Sequence, residues 1–262
     1  MKKHIKAIDA RGRKLGGDTP LVGTPLVGRT RERVLAEAAS VLKQKPDIIE
    51  WRVDYFAAIG DTEAVIGTAR ALREAVGKRP VIFTCRAERG GGEKTTIDVD
   101  GVVALYAAVA DSRLVELIDF DVDNDPALIR AVREATRRND VRLILSYHNL
   151  SYTPGHDDLV DRFLDAERLG ADVAMVQVMP RDRADVLRLL AATAAADDKT
   201  RIPLISMSLG PLGSVTRMVG GLFGSWLSFA VGESASAPGQ IPIGDLVTVH
   251  DILRRSRGGE MF

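Results

Sequence analysis

Glu50 and Arg52 are two residues whose types and spacing could do chemistry. They stand two positions apart in an apolar segment of strand character, with Asp54 next, so their side chains point to one face. An acid and a base on an inward face are costly unless they pair or bind a ligand. The spacing leaves both interpretations open, a structural ion pair or a contact to a polar ligand.

Arg86 and His148 each end another apolar segment. Arg86 stands before Gly90-Gly91-Gly92, a loop that could cradle an anion or form a mobile lid. His148 closes Ser146-Tyr147-His148, where an imidazole could act as a general acid or base. It could equally be a rim histidine whose ring nitrogens are satisfied by neighbouring groups.

Arg217 lies in Ser214–Gly220, at what the pattern predicts to be the start of a helix. An arginine there could clamp an anion with help from the helix N-terminus, or it could be a solvated surface charge. Residues 234–240 are mostly small and, from composition alone, are typical of a plain turn.

The elements that must position these residues alternate strictly between strand-like and helix-like segments. Eight such pairs predict parallel strands joined by helical crossovers, and at this length they favour a closed α/β (β/α)₈ TIM barrel over an open doubly wound sheet. Residues 1–262 are predicted to form a single domain, with a possible N-terminal β-hairpin turning at 9–12 and a loose tail over 256–262. The strand-like segments are 21–27, 47–55, 80–86, 113–120, 141–148, 171–180, 201–208 and 225–231. The helix-like segments are 31–43, 62–76, 98–111, 125–138, 157–169, 181–196, 213–223 and 243–255.

Met175 occupies the centre of the sixth strand-like segment. Period-2 alternation places Val173, Met175 and Gln177 on one face of that strand. If the strand belongs to a barrel, one of its faces lines the interior, and Met175 then lies near the middle of whatever the barrel holds. Taken alone, a buried methionine is ordinary gap-filling core.

The composition excludes several functional classes. Lys+Arg and Asp+Glu balance at 36 each in 262 residues, so no nucleic-acid or membrane partner is expected. The single Cys85 rules out a disulfide framework, and His4, His156 and His250 lack ligand spacing, so no metal site is predicted. The sequence shows neither a segment of about 20 apolar residues nor a signal-peptide pattern, which makes the cytoplasm the expected location.

Several of these motifs, in order and with few gaps from about residue 19 to 253, resemble the type I 3-dehydroquinate dehydratase family. The motifs are Glu50–Asp54, Phe83–Arg86, Ser146–His148, Ala171–Pro180, Thr216–Ser225 and Ser236–Gln240. The family is a (β/α)₈ barrel, usually a homodimer, and a lyase that converts 3-dehydroquinate to 3-dehydroshikimate in the shikimate pathway of aromatic amino acid biosynthesis.

The resemblance implies a role for each candidate residue and requires no cofactor. The ring hydroxyls of the substrate would be contacted by Glu50, Arg52 and Arg86. Its carboxylate end would be held by Arg217, Ser236 and Gln240. His148 would be the general acid/base.

The sequence departs from the family at the positions that matter most for catalysis. Met175 stands where the family has the lysine that forms a Schiff base with the ring ketone, and a thioether cannot form an imine. Gly90 stands where the family has a glutamate that works alongside the histidine. Asn149 and Gln177 replace the usual aspartate and a small apolar residue. A natural paralogue explains all four changes, whereas an engineered Lys→Met variant explains only Met175.

Three hypotheses follow. The first is a dehydratase-like barrel that binds a quinate-, shikimate- or 3-dehydroquinate-type hydroxy-carboxylate and has lost or altered its Schiff-base chemistry. The second is a functional dehydratase, impaired or using another amine, for which Lys94 near the glycine loop is a candidate. The third is a non-catalytic regulatory or scaffolding partner of another shikimate-pathway enzyme.

Overall fold

The architecture is an eight-stranded parallel barrel surrounded by eight helices, preceded by a β-hairpin. The structure is a computed structural model, and it describes residues 7–17 and 19–256. Its strands are β1 (Ile8–Ala10), β2 (Arg13–Leu15), β3 (Leu21–Leu26), β4 (Ile48–Arg52), β5 (Val81–Thr84), β6 (Leu117–Asp121), β7 (Arg142–Asn149), β8 (Val173–Val178), β9 (Leu204–Ser208) and β10 (Leu227–Phe229). Its α-helices are α1 (Arg31–Leu42), α2 (Thr62–Val76), α3 (Val99–Ser112), α4 (Pro126–Arg138), α5 (His156–Arg168), α6 (Arg183–Asp197), α7 (Gly210–Val219) and α8 (Ile243–Ser256).

The barrel strands pair in the order β10-β3-β4-β5-β6-β7-β8-β9, and every pair is parallel. A parallel bridge between Leu204 and Ser225 brings β9 to the segment that enters β10 and closes the ring. The predicted (β/α)₈ barrel is therefore confirmed. Because all eight strands run the same way, the residues that follow their carboxyl ends meet at one mouth.

The two faces of each strand serve two different cores. On β8, Ala174, Val176 and Val178 join the large core between the strands and the helices. Val173 and Met175 join a second core inside the barrel. The alternation predicted for this strand is thus observed, and Met175, only 2% exposed, lies in the barrel interior.

The N-terminal hairpin covers one end of the inner core. Strands β1 and β2 pair antiparallel, with Ile8 opposite Leu15, and form the hairpin that the sequence predicted. Ile8, Ala10 and Leu15 belong to the same buried cluster as the inward residues of the barrel strands. The hairpin therefore closes the end of the barrel interior that lies opposite the mouth. The loose tail predicted for 256–262 falls, beyond Ser256, outside the described residues.

Helix α7 begins earlier than predicted. The pattern placed its start at about residue 213, but the helix runs from Gly210, with Pro211 in its first turn. Proline is favoured there because its missing N–H has no partner inside a helix anyway. The consequence is that Arg217 lies in the last turn of the helix rather than at its beginning.

None of the described helices combines the length and apolar character that a membrane span requires. Within the described ranges, no group of three or more histidine, cysteine, aspartate or glutamate side chains could hold a metal ion.

Candidate active site

Arg52 stands at the end of β4 and pairs with Asp54. Its Nε and Nη2 donate to the two carboxylate oxygens of Asp54 at 2.9 and 2.7 Å. The backbone N–H groups of Arg86 and Glu93 also donate to Asp54, at 3.3 and 3.1 Å. Of the two interpretations of this strand end, the ion pair is therefore present, although the partner of Arg52 is Asp54 and not Glu50. Asp54 also anchors both ends of the glycine loop.

Glu50 lies inward on the same strand and is 5% exposed. Burial raises its pKa, and the charges of Arg52 and Arg86 oppose that rise. A carboxyl group held in this way favours the protonated form more than an ordinary glutamate does, so it can donate as well as accept hydrogen bonds.

Arg86, just beyond β5, is the centre of a buried polar network. Its Nη2 pairs with Asp119 on β6, and its Nη1 donates to Ser146 Oγ on β7 at 2.8 Å. Ser146 Oγ in turn donates to Asp119 at 2.6 Å. The network uses both carboxylate oxygens of Asp119 and fixes the position of the Arg86 guanidinium at the base of the mouth cavity.

His148 lies beside this network, on β7. Its Nδ1 is 3.2 Å from Nη1 of Arg86. Burial, followed by the charges of Arg86 and Arg52, holds the pKa of His148 well below its ordinary value. Gly90 lies directly against the pair, because a Cβ at this position would stand 3.0 Å from Arg86 Cδ and 3.4 Å from His148 Cβ. The structure therefore brings together Arg86, Gly90 and His148.

Arg217 reaches the mouth from the last turn of α7 and is 1% exposed. Its Nε donates to the carbonyl of Gly239 at 3.1 Å and its Nη1 to that of Phe229 at 3.0 Å. Nη2 has no hydrogen-bond partner among the described residues. The prediction of a site assisted by a helix N-terminus is wrong, because this end of a helix carries the negative end of the dipole.

Arg217 is also a buried cation without a carboxylate partner. None of the ion pairs among the described residues involves it, and burial alone lowers its pKa to about 10. Leaving a buried charge unpaired is costly, whereas an anion that enters the mouth would pair with it. The free Nη2 is therefore a donor that an anionic group entering the mouth could use.

Ser236 and Gln240 lie on the loop between β10 and α8. The backbone N–H of Ser236 donates to Gln240 Oε1 at 3.0 Å, so the Gln240 side chain holds the loop in one compact turn. The Gly210 N–H donates to the carbonyl of Pro238 at 3.1 Å, which docks the loop on the start of α7. The segment thus forms a turn, as its composition suggested, and the turn borders the mouth.

Met175 lies one layer below these polar groups. Gln177, two residues further along β8, donates from Nε2 to Met175 Sδ at 3.5 Å. Gln177 lines the mouth cavity, while Met175 packs in the inner core with Ile205 and Met207. Position 175 is therefore filled by an apolar side chain and covered by the amide of Gln177.

The predicted site residues other than Met175 share one cavity of about 100 Å³. Lys94, the alternative amine, instead borders a neighbouring cavity of about 260 Å³. The cavity at the mouth is lined by Glu50, Arg52, Arg86, Gly90, His148, Gln177, Arg217, Ser236 and Gln240, together with apolar residues that include Leu209 and Phe229.

Asp119 and Asp54 were not among the predicted site residues. Asp119 is 1% exposed, on β6, and holds both Arg86 and Ser146. An aspartate inside the apolar segment 117–121 was the signal that could have identified it, since a buried carboxylate must pair.

Comparison with known proteins identifies the family of the chain. The family model for type I 3-dehydroquinase matches residues 22–257. The chain is 53% identical to the 3-dehydroquinate dehydratase of Albidiferax ferrireducens over 254 residues, which cover 97% of this chain and 96% of that protein. It is 43% identical to the 3-dehydroquinate dehydratase of Aromatoleum aromaticum, covering 97% and 98%.

Solved structures agree with the sequence relatives. The crystal structure of 3-dehydroquinate dehydratase from Geobacillus kaustophilus superimposes with a TM-score of 0.95 at 43% identity, covering 97% of this chain and 99% of that one. The type I enzyme from Clostridium difficile, solved with covalently modified comenic acid, gives 0.93 at 32% identity, covering 96% and 99%. The chain thus belongs to the type I 3-dehydroquinase family.

Proposed function

We propose that the barrel mouth binds 3-dehydroquinate, or a closely similar cyclic hydroxy-carboxylate, and dehydrates it slowly without forming an imine. The observation that carries the binding half is Arg217, which is buried at the mouth without a carboxylate partner and with Nη2 unpaired. A carboxylate at that point would remove the cost of the buried charge.

The other arginines of the mouth differ from Arg217 in charge balance. Arg52 is paired with Asp54 and Arg86 with Asp119. They can still donate hydrogen bonds to ring hydroxyls, but their charges are already balanced by carboxylates and need no anion from a ligand. The ligand is therefore expected to bind in one orientation. Its carboxylate would lie at Arg217, and its hydroxyl groups would point towards Glu50 and the paired arginines.

The names of the relatives support dehydration as the reaction. They favour the alternative prediction, a functional dehydratase, over the first prediction of lost or altered chemistry. In this reaction the electrons of a C–H bond beside the ring ketone form the new C=C bond. The C–O bond of the neighbouring hydroxyl breaks, and that oxygen leaves as water after gaining a proton. His148 is the group in the mouth that can carry these protons.

Met175 sets the expected rate. In a serine protease, removing the covalent nucleophile cost on the order of 10⁶ in rate, which is about 8 kcal/mol of barrier. Help from a general acid or base such as His148 contributes about 10²–10⁴. Without an imine, the negative charge of the intermediate must rest on the ketone oxygen, so turnover is expected to be well below that of an enzyme with a lysine on β8.

The second candidate function is ligand binding without turnover. Three residues favour it together: Met175 has no amine, Gln177 covers it, and Gly90 gives His148 no carboxylate partner. In that case the barrel would keep the recognition half of the site alone. A homodimeric assembly and a cytoplasmic location stay predictions from the sequence.

The test is calorimetry with 3-dehydroquinate, quinate and shikimate beside a turnover assay. Binding with slow production of 3-dehydroshikimate supports the proposal, and binding with none supports the second candidate. Failure of all three to bind would overturn both. Borohydride added with 3-dehydroquinate should leave the intact mass unchanged, whereas an adduct at Lys94 would show that another amine forms the imine.

A further inference from the structure

The contact between Arg86 and His148 determines which nitrogen of the imidazole carries the hydrogen. Nη1 of Arg86 lies 3.2 Å from Nδ1 of His148. A guanidinium only donates hydrogen bonds, and it does not lose its proton in proteins. For this contact to be favourable, Nδ1 must accept, and it therefore carries no hydrogen.

The position of Arg86 is not free to change, because the rest of its guanidinium is already committed. Nη2 is paired with Asp119, and Nη1 also donates to Ser146 Oγ at 2.8 Å. Asp119 is buried and needs that cation. The arginine is therefore a fixed donor, and the imidazole is the partner that must adapt.

Gly90 explains why the arginine is the group that reaches Nδ1. A Cβ at this position would stand 3.0 Å from Arg86 Cδ and 3.4 Å from His148 Cβ, so a side chain there would press on both. No described carboxylate contacts Nδ1. With glycine at this position, the only polar contact of Nδ1 among the described residues is with a donor, Nη1 of Arg86.

We infer that Arg86 is a positioning residue that holds His148 in the neutral tautomer with its hydrogen on Nε2, so that His148 meets a ligand as a hydrogen-bond donor. The inference rests on the proposed function for the identity of that ligand. The two positive groups beside the ring, Arg86 and Arg52, oppose a second proton, and the lowered pKa of His148 agrees.

This tautomer has a consequence for the proposed reaction. A base that removes a proton from carbon needs the lone pair of Nε2, which the resting tautomer does not offer. A neutral imidazole with hydrogen on Nε2 can instead polarise a carbonyl oxygen of the ligand. To act as a base, His148 must first move its hydrogen to Nδ1 and give up the Arg86 contact. The slow turnover expected from Met175 thus acquires a second, independent cause.

The test is a long-range ¹H–¹⁵N correlation spectrum of the whole protein labelled at histidine nitrogen, recorded without ligand near neutral pH. His148 is assigned by its disappearance in His148→Gln. The expected pattern has a protonated Nε2 and an unprotonated Nδ1. A protonated Nδ1, a fully protonated ring or rapid averaging between tautomers would each overturn the inference.

Arg86→Lys tests the cause. It keeps a cation opposite Asp119 but loses the forked donor, so the two nitrogen shifts of His148 should move towards each other as both tautomers become populated. The matched control is Arg89→Lys, at an exposed arginine that contacts Asp121 and Asn124 and not His148. Its spectrum should keep the His148 shifts of the unmodified protein. Unchanged shifts in Arg86→Lys would refute the role of Arg86.

These spectra need no ligand, so their result is separate from that of the binding assay. If the Nε2 tautomer is found and no hydroxy-carboxylate binds, the proposed function fails and the assignment of the tautomer stands. If ligands bind and the ring shows the other tautomer, the inference fails and the proposed function stands.

Discussion

At the scale of single residues, the site is defined by one unbalanced charge. Arg217 is held by two backbone carbonyls and retains a free Nη2, while the ion pairs Arg52–Asp54 and Arg86–Asp119 balance their own charges. Protein carbonyls can orient a guanidinium but cannot neutralise it. The ligand is therefore expected to supply the missing negative charge.

Arg217→Met should weaken binding of 3-dehydroquinate by about 2 kcal/mol or more, roughly 30-fold, because a charge-assisted contact is lost. Methionine is chosen because its long apolar side chain fills most of the buried space that the arginine side chain occupies. Calorimetry measures the change, with Arg254→Met, at an exposed arginine of α8, as the matched control. Equal affinity in the two variants would show that Arg217 does not hold the ligand.

His148 should make the protein less stable at acid pH. Its pKa is well below 6.5 in the folded protein and about 6.5 in the unfolded chain. Below pH 6.5 the unfolded chain therefore binds more protons than the folded protein. The stability contributed by the neutral ring is complete above that pH and is lost as the pH falls towards the folded-state pKa.

His148→Gln should flatten the rise of the unfolding free energy with pH just below 6.5, by up to about 1.4 kcal/mol per pH unit. Urea unfolding at a series of pH values measures the slope. His156→Gln, at an exposed histidine on α5, is the control and should keep the original slope. Identical slopes in both variants would mean that the His148 ring is as easily protonated in the folded protein as in the unfolded one.

At the scale of elements, strand β8 and the glycine loop carry Met175 and Gly90, the two residues that the sequence predicts to differ from the family pattern. The strand keeps its register and its inward face, since Met175 lies opposite Ser146 on β7 and Gln177 lies opposite His148. The predicted differences therefore lie in side chains and not in the strand register, so replacing these side chains is expected to permit imine chemistry.

Met175→Lys with Gly90→Glu should give a borohydride-trapped adduct on the new lysine and faster turnover. Methionine and lysine are both long and unbranched, so the first change nearly conserves volume. The nearby arginines disfavour a second cation and thus favour the neutral, nucleophilic amine, at some cost in melting temperature. Intact-mass spectrometry and the turnover assay measure the outcome.

The glutamate at position 90 must displace Arg86 by a few tenths of an ångström, since its Cβ would lie 3.0 Å from Arg86 Cδ. Adding Gln177→Ala opens the space above the new amine. The matched control is Met175→Leu with Gly90→Glu, which should form no adduct. If the triple variant binds 3-dehydroquinate and shows neither adduct nor turnover, the pocket serves another ligand or reaction.

The elements also show how far the sequence alone could lead. The strands β4, β5 and β7 could be predicted, because apolar periodicity identifies strands. Their ends were less exact, since β4 stops at Arg52 and β5 at Thr84 rather than at residues 55 and 86. The start of α7 could not be predicted, because Gly210 and Pro211 resemble a break in the chain. Gly210, the first residue of the helix, adopts a φ of +71°, and Pro211 follows it in the first turn. The error of three residues moved Arg217 to the wrong end of a helix.

The partners of the buried charges were also beyond the sequence. Spacing suggested that Arg52 would face Glu50, but the arginine turns to Asp54, just beyond the strand. Only the three-dimensional path of the chain after β4, through a short 3-10 turn at Val53–Tyr55, brings that carboxylate within reach. The contact of Arg86 with Asp119 depends in the same way on the neighbouring strand.

At the scale of the whole molecule, the two ends of the barrel are built from different kinds of residue. Polar and charged residues gather at the mouth, while the opposite end is filled by apolar side chains and covered by the N-terminal hairpin. Leu15 of β2 is fully buried there, in the same cluster as Leu21, Ile48 and Ile82. Substitutions at the hairpin end should therefore change the free energy of unfolding, whereas substitutions at the mouth should change ligand affinity.

Leu15→Ala should lower the free energy of unfolding by about 2–5 kcal/mol, since it removes buried methyl groups and leaves a cavity under the barrel. The affinity for 3-dehydroquinate should stay unchanged, because the mouth lies at the other end of the strands. Urea unfolding and calorimetry measure the two quantities. Lys14→Ala, at the exposed neighbour on β2, should change stability by no more than about 0.5 kcal/mol. A Leu15→Ala protein as stable as the Lys14→Ala protein would mean that the hairpin does not close the barrel in solution.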